Sequence, residues 1–499
     1  MAQKKIKKRR PKAITPKGFR DYFANDVLKR QGLIKTICDV YELYGFEILE
    51  SSAVETVGAL GKYLPDIDRP NQGIFSWQDE ENEWLALRYD FTAPLARVYA
   101  QYRNDLPLPY RRYSFGPVWR NEKPGPGRYK QFYQCDADTV GAHSSVADSE
   151  MCTMLGFALE EIGIPRDQYI IHLNNRKILN GIMEEIGILD SVDPEVKKIT
   201  RGIVLRSIDK IDRLGHQGVR ELLDSGRKDD SGDFTEGAGL SKGQIDHIMN
   251  FVSLSEDSNE KTLEELRYSV GKSSIGRTGI KELELIVELN NSGGLAGDRI
   301  KINPGTVRGL GYYTGAVFEA ELKVKYINPD GASSEIGSVA GGGRYDDLIK
   351  RFTGQEVPAT GLSIGIDRLG FAIDQLNKSK KLYSEGPVLV TIMDMKNILY
   401  YQEIVGELRS SGIRAELFLG NPKDLGKQLK YADQRNSRLA IIAGSEEFER
   451  GNVQVKDLDL GSKMASTVKT NKEWKGQPAQ IEISRKDLVE HIKDFFITN

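Results

Sequence analysis

The sequence predicts an α+β chain: a core built on an antiparallel sheet, interrupted by a helical insertion and followed by a smaller α/β domain. Three observations lead there. Two aromatic, β-prone segments, RRYSFGPVWR (111–120) and RYKQFYQCDADTV (128–140), are joined by a Pro/Gly run, Pro124 to Gly127, and make a long antiparallel hairpin. From about Lys177 to Asp298 the texture changes to short helical patterns separated by polar breaks such as SGRKDDSGDFTEGAGLSKG (225–243). From Pro387 onward, strand-like and helix-like stretches alternate as βαβαβ, which marks a small doubly wound sheet.

Residues 27–44 place Val27, Leu33, Ile34, Ile37, Val40, Tyr41 and Tyr44 at helical spacing, with Gly45 as the stop. WLALRYDF (84–91) alternates as a strand, and APLARVYAQY (93–102) has a helical pattern. Residues 144–163 combine a Ser/Asp start, a periodic apolar face and a Gly stop, again a helix. After the insertion, VRGLGYYTGAVFEAEL (307–322) and VAGGGRYDDLIKRF (339–352) resume the strand and glycine texture, and GLSIGIDRLGFAI (361–373) runs from a strand into a helix. In the last part, PVLVTIM (387–393), IRAELFL (413–419) and LAIIAG (439–444) are the strands. Helices at about 398–410 and 425–436 separate them.

A chain of 499 residues exceeds one typical core, so several domains are expected. Its 39% hydrophobic and 28% charged content belongs to a globular protein, not to a disordered or fibrous one. No apolar run approaches the roughly 18 residues of a membrane span. The three cysteines, Cys38, Cys135 and Cys152, form no CxxC and have no His at ligand spacing, so a reducing compartment and no metal site are expected. Residues 1–12 hold seven Lys or Arg and no acid, so the other 487 residues carry a net charge of −9. Such a basic arm is expected to be a disordered, solvated tail, although it could add phosphate contacts on a nucleic acid. No apolar secretory h-region stands at the start, which makes the cytoplasm the expected location.

Arginines are the first candidate chemistry. Arg120 and Arg128 bracket the Pro/Gly turn, and Arg344 and Arg368 lie in later glycine-rich segments. A guanidinium is a planar, permanently charged fork matched to phosphate oxygens, and several converging would suit a polyphosphate. The absence of GxxxxGK[ST] excludes a P-loop. Arg308, Tyr312 and Tyr313 in VRGLGYYTG would suit a flat polar ligand, or a Tyr-rich strand in the core. Asp90 and Thr92 in RYDFTAP, with Gln134 and Asp138 after the turn, could hold an ammonium group and a polar ring, or serve as strand and cap residues. Composition leaves both readings open.

The ordered set LRYDFTAPLAR, GPVWRNEKPGPGRYKQFYQCDAD, VRGLGYYTG, GGGRYD and GLSIGIDRL, closed by an α/β domain, resembles the histidyl-tRNA synthetase family across nearly the whole chain. The second and fifth segments are similar to motifs 2 and 3 of class II aminoacyl-tRNA synthetases. Helix 27–44 with the strand after it resembles motif 1, which in that family builds a dimer interface. The resemblance implies a class II antiparallel catalytic core in two parts, 13–176 and 299–376. It further implies a helical insertion at 177–298, a linker at 377–386 and an anticodon-binding domain at 387–499. By position it places Arg120 and the histidine-specific Arg308 at the ATP α-phosphate, Glu122 and Phe132 at the adenine, and Arg128 and Arg368 at the outer phosphates. It gives the histidine α-amino group to Asp90, Thr92 and Gln134, the imidazole to Asp138 and Tyr313, and the pocket lining to Tyr312 and Tyr345.

The same resemblance implies ATP as substrate, Mg2+ at its outer phosphates, L-histidine and tRNA-His as partners, a homodimer and no membrane. Some positions depart from common family patterns: Asp stands at 90 and 138 where many members have Glu, Ser52 where motif 1 usually has Pro, and Gly311 where an acid often precedes the Tyr pair. Two rivals carry different expectations. A catalytically silent regulatory or histidine-sensing relative would typically lose the VRGLGYYTG arginine or the C-terminal domain, and a class II synthetase for another small amino acid would lack the Arg308 and Tyr312/Tyr313 segment. This chain retains these features.

Overall fold

A computed structural model describes residues 11–60, 73–125, 127–189, 193–228, 232, 234–254, 256–295, 298–307, 312–327, 331–376, 386–421, 424–460 and 479–498. Residues 1–10 of the basic arm, Pro126 of the turn, Arg308, Gly311 and residues 377–385 of the expected linker lie outside these. The chain divides into two compact units, 1–379 and 380–499.

The first unit is organised by an eight-stranded sheet. Its strands are β1 (Glu47–Ile48), β2 (Tyr110–Trp119), β3 (Gln131–Val140), β4 (Tyr169–Asn175), β5 (Ile300–Ile302), β6 (Ala316–Ile327), β7 (Ser333–Arg344) and β8 (Ala359–Gly365). They lie in the order β1-β2-β3-β8-β7-β6-β4-β5. The expected hairpin is β2–β3, paired without a slip from Tyr110 opposite Val140 to Trp119 opposite Gln131. β3 then pairs antiparallel with β8, β8 with β7, and β7 with β6, so the centre of the sheet is antiparallel throughout. Only the edges, β1 on β2 and β5 on β4, are parallel.

Helices α1 (Ala24–Leu43), α2 (Thr92–Tyr102), α3 (Val146–Glu161), α4 (Arg176–Glu185), α5 (Ser274–Ser292) and α6 (Ile366–Leu376) surround it. One continuous apolar core joins Ile37 and Tyr41 of α1, Met151 and Leu155 of α3, Ile171 and Leu173 of β4, Leu179 of α4 and Leu283 of α5. The helical stretch after β4 therefore does not stand off from the sheet: α5 lies on both α3 and α4. Between them come helices Pro194–Ile208, Ile211–Leu223, Lys242–Val252 and Asn259–Ser269, and a two-stranded hairpin of Gly226–Lys228 and Phe234–Glu236 inside the polar break.

The strand expected over 84–91 ends at Leu87. Arg88 is buried and spends its donors on Ser51 O (2.9 Å) and Pro117 O (3.0 Å), so the chain is held by a side chain from there to α2.

The second unit carries β9 (Val388–Val390), β10 (Ala415–Leu417) and β11 (Leu439–Ile442) as a parallel trio in the order β10-β9-β11. β12 (Asn452–Asp457) and β13 (Gln480–Ser484) extend it antiparallel. Helices α7 (Ile398–Ser410), α8 (Leu425–Gln434) and α9 (Leu488–Thr498) complete it. Its core is separate, built on Val388, Val390, Tyr401, Ile404, Leu439, Ile441 and Val453. Among the described residues no helix is long and apolar enough to cross a membrane.

The contact of α4 with α5 runs through glycine. A Cβ on Gly181 would lie 2.6 Å from Gly276 Cα and 2.8 Å from its N, both backbone atoms that cannot swing aside. Gly181→Ala gains about 1 kcal/mol of helix propensity but forces the two helices apart, so a net loss of about 1–2 kcal/mol is expected, read as a lower urea midpoint.

Candidate active site

Strand alternation builds the floor of a cavity of about 500 Å3. Gln134, Asp136 and Asp138 occupy alternate positions of β3 and so share one face. Opposite Asp138 stand Arg112 on β2 and Gly361 on β8, with Gly343 of β7 next in the row. Opposite Asp136 stand Ser114 and Ser363, then Gly341 and Glu319. The glycines leave room where side chains would fill the cavity. A Cβ on Gly361 would fall 1.9 Å from Asp138 Oδ1, and one on Gly343 only 3.0 Å from the Tyr313 ring and 2.4 Å from Ala316 O.

Asp138 is the best-anchored group of the floor. Its Oδ2 lies 2.7 Å from the Arg112 guanidinium, the two side chains 2% and 0% exposed, and its Oδ1 accepts the hydroxyl of Tyr345. Burial pushes its carboxyl up, and the Arg112 charge and the Tyr345 hydroxyl oppose that. Asp90 sits just before α2, where its Oδ1 accepts the backbone N–H groups of Thr92 and Ala93, both at 3.1 Å. These are free donors of a helix start, which is why a short acid precedes Thr92. Burial raises the Asp90 carboxyl as well, against those two N–H groups and the charges of Arg120 and Arg112. Gln134 Oε1 is buried without a hydrogen-bond partner. Tyr312, Tyr313 and Tyr345 form the far wall, with ring centroids 4.8 and 5.8 Å apart around Tyr312, backed by Leu95, Tyr99 and Val317.

The other half of the cavity is basic. The Arg120 guanidinium lies 4.3 Å from the ring centre of Tyr89 and 5.2 Å from that of Phe132. Burial works against its charge, but Tyr89, Glu122, Asp90 and Tyr312 outweigh that and hold its pKa above the usual value. Arg368 reaches the Ser338 carbonyl, and burial together with the facing charge of Arg128 lowers it to about 10. Two guanidinium groups in mutual repulsion are relieved by an anion between them.

Asp90, Thr92, Arg120, Glu122, Arg128, Phe132, Gln134, Asp138, Tyr312, Tyr313, Tyr345 and Arg368 thus line one cavity. Arg308, the remaining candidate, lies outside the described residues. Arg344 does not join the other three arginines. It is one residue past Gly343, so it faces the opposite side of the sheet, where it pairs with Asp148 of α3 at 2.9 Å and donates to Ala142 O and Ser144 O. Asp148 is raised to about 6 by burial, against the charge of Arg344. Residues the sequence did not single out also line the cavity: Tyr89, Asp136, Asp209 from the helical stretch, Glu319 and Asp367. Asp367 ties α6 to the hairpin by accepting Tyr133 N–H and the Tyr22 hydroxyl, each at 2.7 Å. Arg112 was legible only as an interior basic residue of a strand, since its partner depends on register.

The Arg112–Asp138 pair makes a stability prediction independent of any ligand. Arg112→Ala leaves a buried carboxylate without its counter-charge and is expected to cost about 3–5 kcal/mol in denaturant unfolding, whereas Arg112→Met with Asp138→Leu recovers most of that loss.

Comparison with known proteins agrees with this geometry. Residues 18–369 match the family model described as histidyl-tRNA synthetase, and residues 387–494 match that of the anticodon binding domain. A curated histidine–tRNA ligase of Cereibacter sphaeroides is 59% identical over 486 residues, covering 97% of this chain and 98% of that protein. One from Dinoroseobacter shibae is 57% identical over 486 residues, covering 97% of each. Among solved structures, the histidyl-tRNA synthetase of Nostoc sp. PCC 7120 superposes with a TM-score of 0.69 at 28% identity, over 97% of this chain and 100% of that one. The fold is that of a class II synthetase catalytic domain followed by an anticodon-binding domain, and the chain belongs to the histidyl-tRNA synthetase family.

Proposed function

We propose that this chain activates L-histidine with ATP to histidyl-adenylate and transfers the histidine to the 3′ end of tRNA-His, releasing AMP and diphosphate. The observation that carries this reading is the division of one cavity into a carboxylate and amide floor and a guanidinium half, in a chain of this family. Residues 13–176 and 299–376 are assigned to catalysis, 177–298 to the insertion, 377–386 to the linker and 387–499 to tRNA anticodon binding.

Asp90, Thr92 and the unpartnered Gln134 Oε1 offer acceptors to the substrate α-ammonium group. Asp138, fixed by Arg112 and Tyr345, and Tyr313 meet the imidazole, while Tyr312 and Tyr345 close the wall. An acid and a hydroxyl at the two ring nitrogens would be left unpaired by an apolar competitor, which disfavours it by roughly 10⁴-fold or more. Phe132 and Glu122 take the adenine, and Arg128 and Arg368 the outer phosphates.

The histidine carboxylate attacks the α-phosphorus in line and diphosphate leaves. Negative charge grows on the nonbridging oxygens, where Arg120, held between Tyr89 and Phe132, presents fixed donors; Arg308 is given the same phosphate in this reading. The acyl group then passes to the 3′-hydroxyl of the tRNA terminal ribose, and no protein nucleophile takes part. Among the described residues no cluster of three His, Cys, Asp or Glu side chains could cage a metal by itself. Mg2+ would be held chiefly by the phosphates with one or two carboxylates, and Glu319, beside Arg368 in the cavity wall, fits as the protein ligand. Bound there, the ion would neutralise charge on the outer phosphates. The protein works as a cytoplasmic homodimer in this reading, in keeping with its family.

Histidine-dependent pyrophosphate exchange tests the assignment. Histidine alone among the amino acids should stimulate exchange, and Arg120→Ala and Arg308→Ala should each lower kcat by about 10²–10³-fold. Exchange driven by threonine or proline, or none with histidine, would overturn it.

A further inference from the structure

The cavity floor holds three buried carboxyls, and one of them, Asp136, has no ion-pair partner among the described residues. Asp90, Asp136 and Asp138 are all buried there, and the buried Arg112 is paired with Asp138. Asp90 uses one oxygen on two backbone N–H groups. Asp136, between Gln134 and Asp138 on the same face of β3, is wholly shielded from water, and neither of its oxygens has a hydrogen-bond partner of good geometry. Ser114, its neighbour on β2, donates its hydroxyl to Leu49 O instead.

The groups that act on Asp136 come from every side. Arg112 faces it from β2, Asp138 and the Cys135 thiol lie on its own strand, and Ser363 stands across on β8. Asp90 and Arg88 reach it from the segment before α2, and Tyr41 from α1. Burial dominates and lifts the Asp136 carboxyl to about 7; Arg112 and Ser363 pull it down, while Asp138 and Asp90 push it up.

Consider the three carboxylates ionised with substrate in place. Arg112 pairs with Asp138, and the α-ammonium group together with the Arg120 charge answers Asp90, while the substrate carboxylate faces the arginines of the other half; Arg88, whose charge also reaches Asp136, donates to Ser51 O and Pro117 O and makes no ion pair with it. One buried charge remains, which costs several kcal/mol unless it is neutralised. A single proton suffices, and imidazole, with an ordinary pKa of about 6.5, is a side chain able to share it.

We infer that Asp136 is a further specificity-determining residue of the histidine pocket: with histidine bound, its carboxyl and the substrate imidazole hold one proton between them. The inference rests on the pocket assignment made above. The pair titrates as a unit, the proton coming from whichever partner carries it or, at alkaline pH, from solvent. Its row neighbours Ser114, Ser363 and Gly341 carry no titratable group and Glu319 stands three strands away on β6, so Asp136 is the row's acid at the histidine end of the floor.

Calorimetry of histidine binding to the full-length protein, in buffers of different ionisation enthalpy, reads the proton directly. At about pH 8 free imidazole and free Asp136 are both mostly deprotonated, so the wild type should take up close to one proton per histidine and Asp136→Asn none. In pyrophosphate exchange, wild-type kcat/KM for histidine should fall by up to about tenfold between pH 7 and pH 8, and Asp136→Asn should lack this alkaline limb. The variant is expected to fold. The raised carboxyl binds its proton more tightly folded than unfolded, so wild-type stability falls as pH rises from the ordinary carboxylate range through about 7, and Asn removes that loss. Should the variant fail to fold, wild-type proton uptake decides alone. Histidine that binds and exchanges without uptake overturns this inference only, as does equal uptake by Asp136→Asn. Wild type without histidine-stimulated exchange overturns the pocket assignment itself.

Discussion

A guanidinium wholly withdrawn from water, Arg112, holds the floor of this site together. It lies directly across the β2–β3 ladder from Asp138 and forms an ion pair with it at 2.7 Å. Such a pair is expensive to bury, since each ion forfeits hydration worth several kcal/mol, and it contributes little net stability. Its effect is to fix where a carboxylate points. With Tyr345 on the second oxygen, Asp138 has no freedom to turn toward solvent, and the shorter acid at this position is held at the depth the strand sets. Pre-organisation of this kind spares a ligand the cost of ordering the group that recognises it.

The rest of the sheet serves that constraint. Glycines keep the cavity open at 361 and 343 beside Asp138 and at 341 in the row of Asp136. The tyrosines lie over the space thus left, and Tyr313 comes within contact of where a Gly343 side chain would begin. Gly341 and Gly343 of the GGG run are thus a consequence of placing a polar floor in the middle of an antiparallel sheet, where side chains of neighbouring strands would ordinarily fill that face.

Much of this was legible in the sequence, and the reasons for what was not are physical. The β2–β3 hairpin, helices α1 and α3 and the parallel trio of the second unit follow from strong periodicity between sharp Gly or Pro signals. β4 escaped because YIIHLNN has no such boundary before α4, and the pair Gly226–Lys228 and Phe234–Glu236 because its strands are three residues long inside a polar stretch. β12, β13 and α9 in the second unit went unread for want of a repeating pattern to extend. At the site, residue type, order and the family resemblance named thirteen candidates, of which twelve line the cavity, but cross-strand partnership requires register. Arg344 is one residue out of phase with the cavity and turned out to tie β7 to α3. Arg112 and Asp136 could be read only once Asp138 was seen opposite the first and Ser363 opposite the second.

The two halves of the cavity are complementary to one reaction, with buried acids for an amino acid that carries an ammonium group and a polar ring, and arginines for a triphosphate. The claim that joins them is that Asp138, fixed by Arg112, reads the imidazole. A crystal structure of the protein with L-histidine and a non-hydrolysable ATP analogue tests it most directly. The account predicts a ring nitrogen about 3 Å from an Asp138 oxygen with the Arg112 pair intact. An imidazole lodged elsewhere, with Asp138 still turned only to Arg112 and Tyr345, would contradict it.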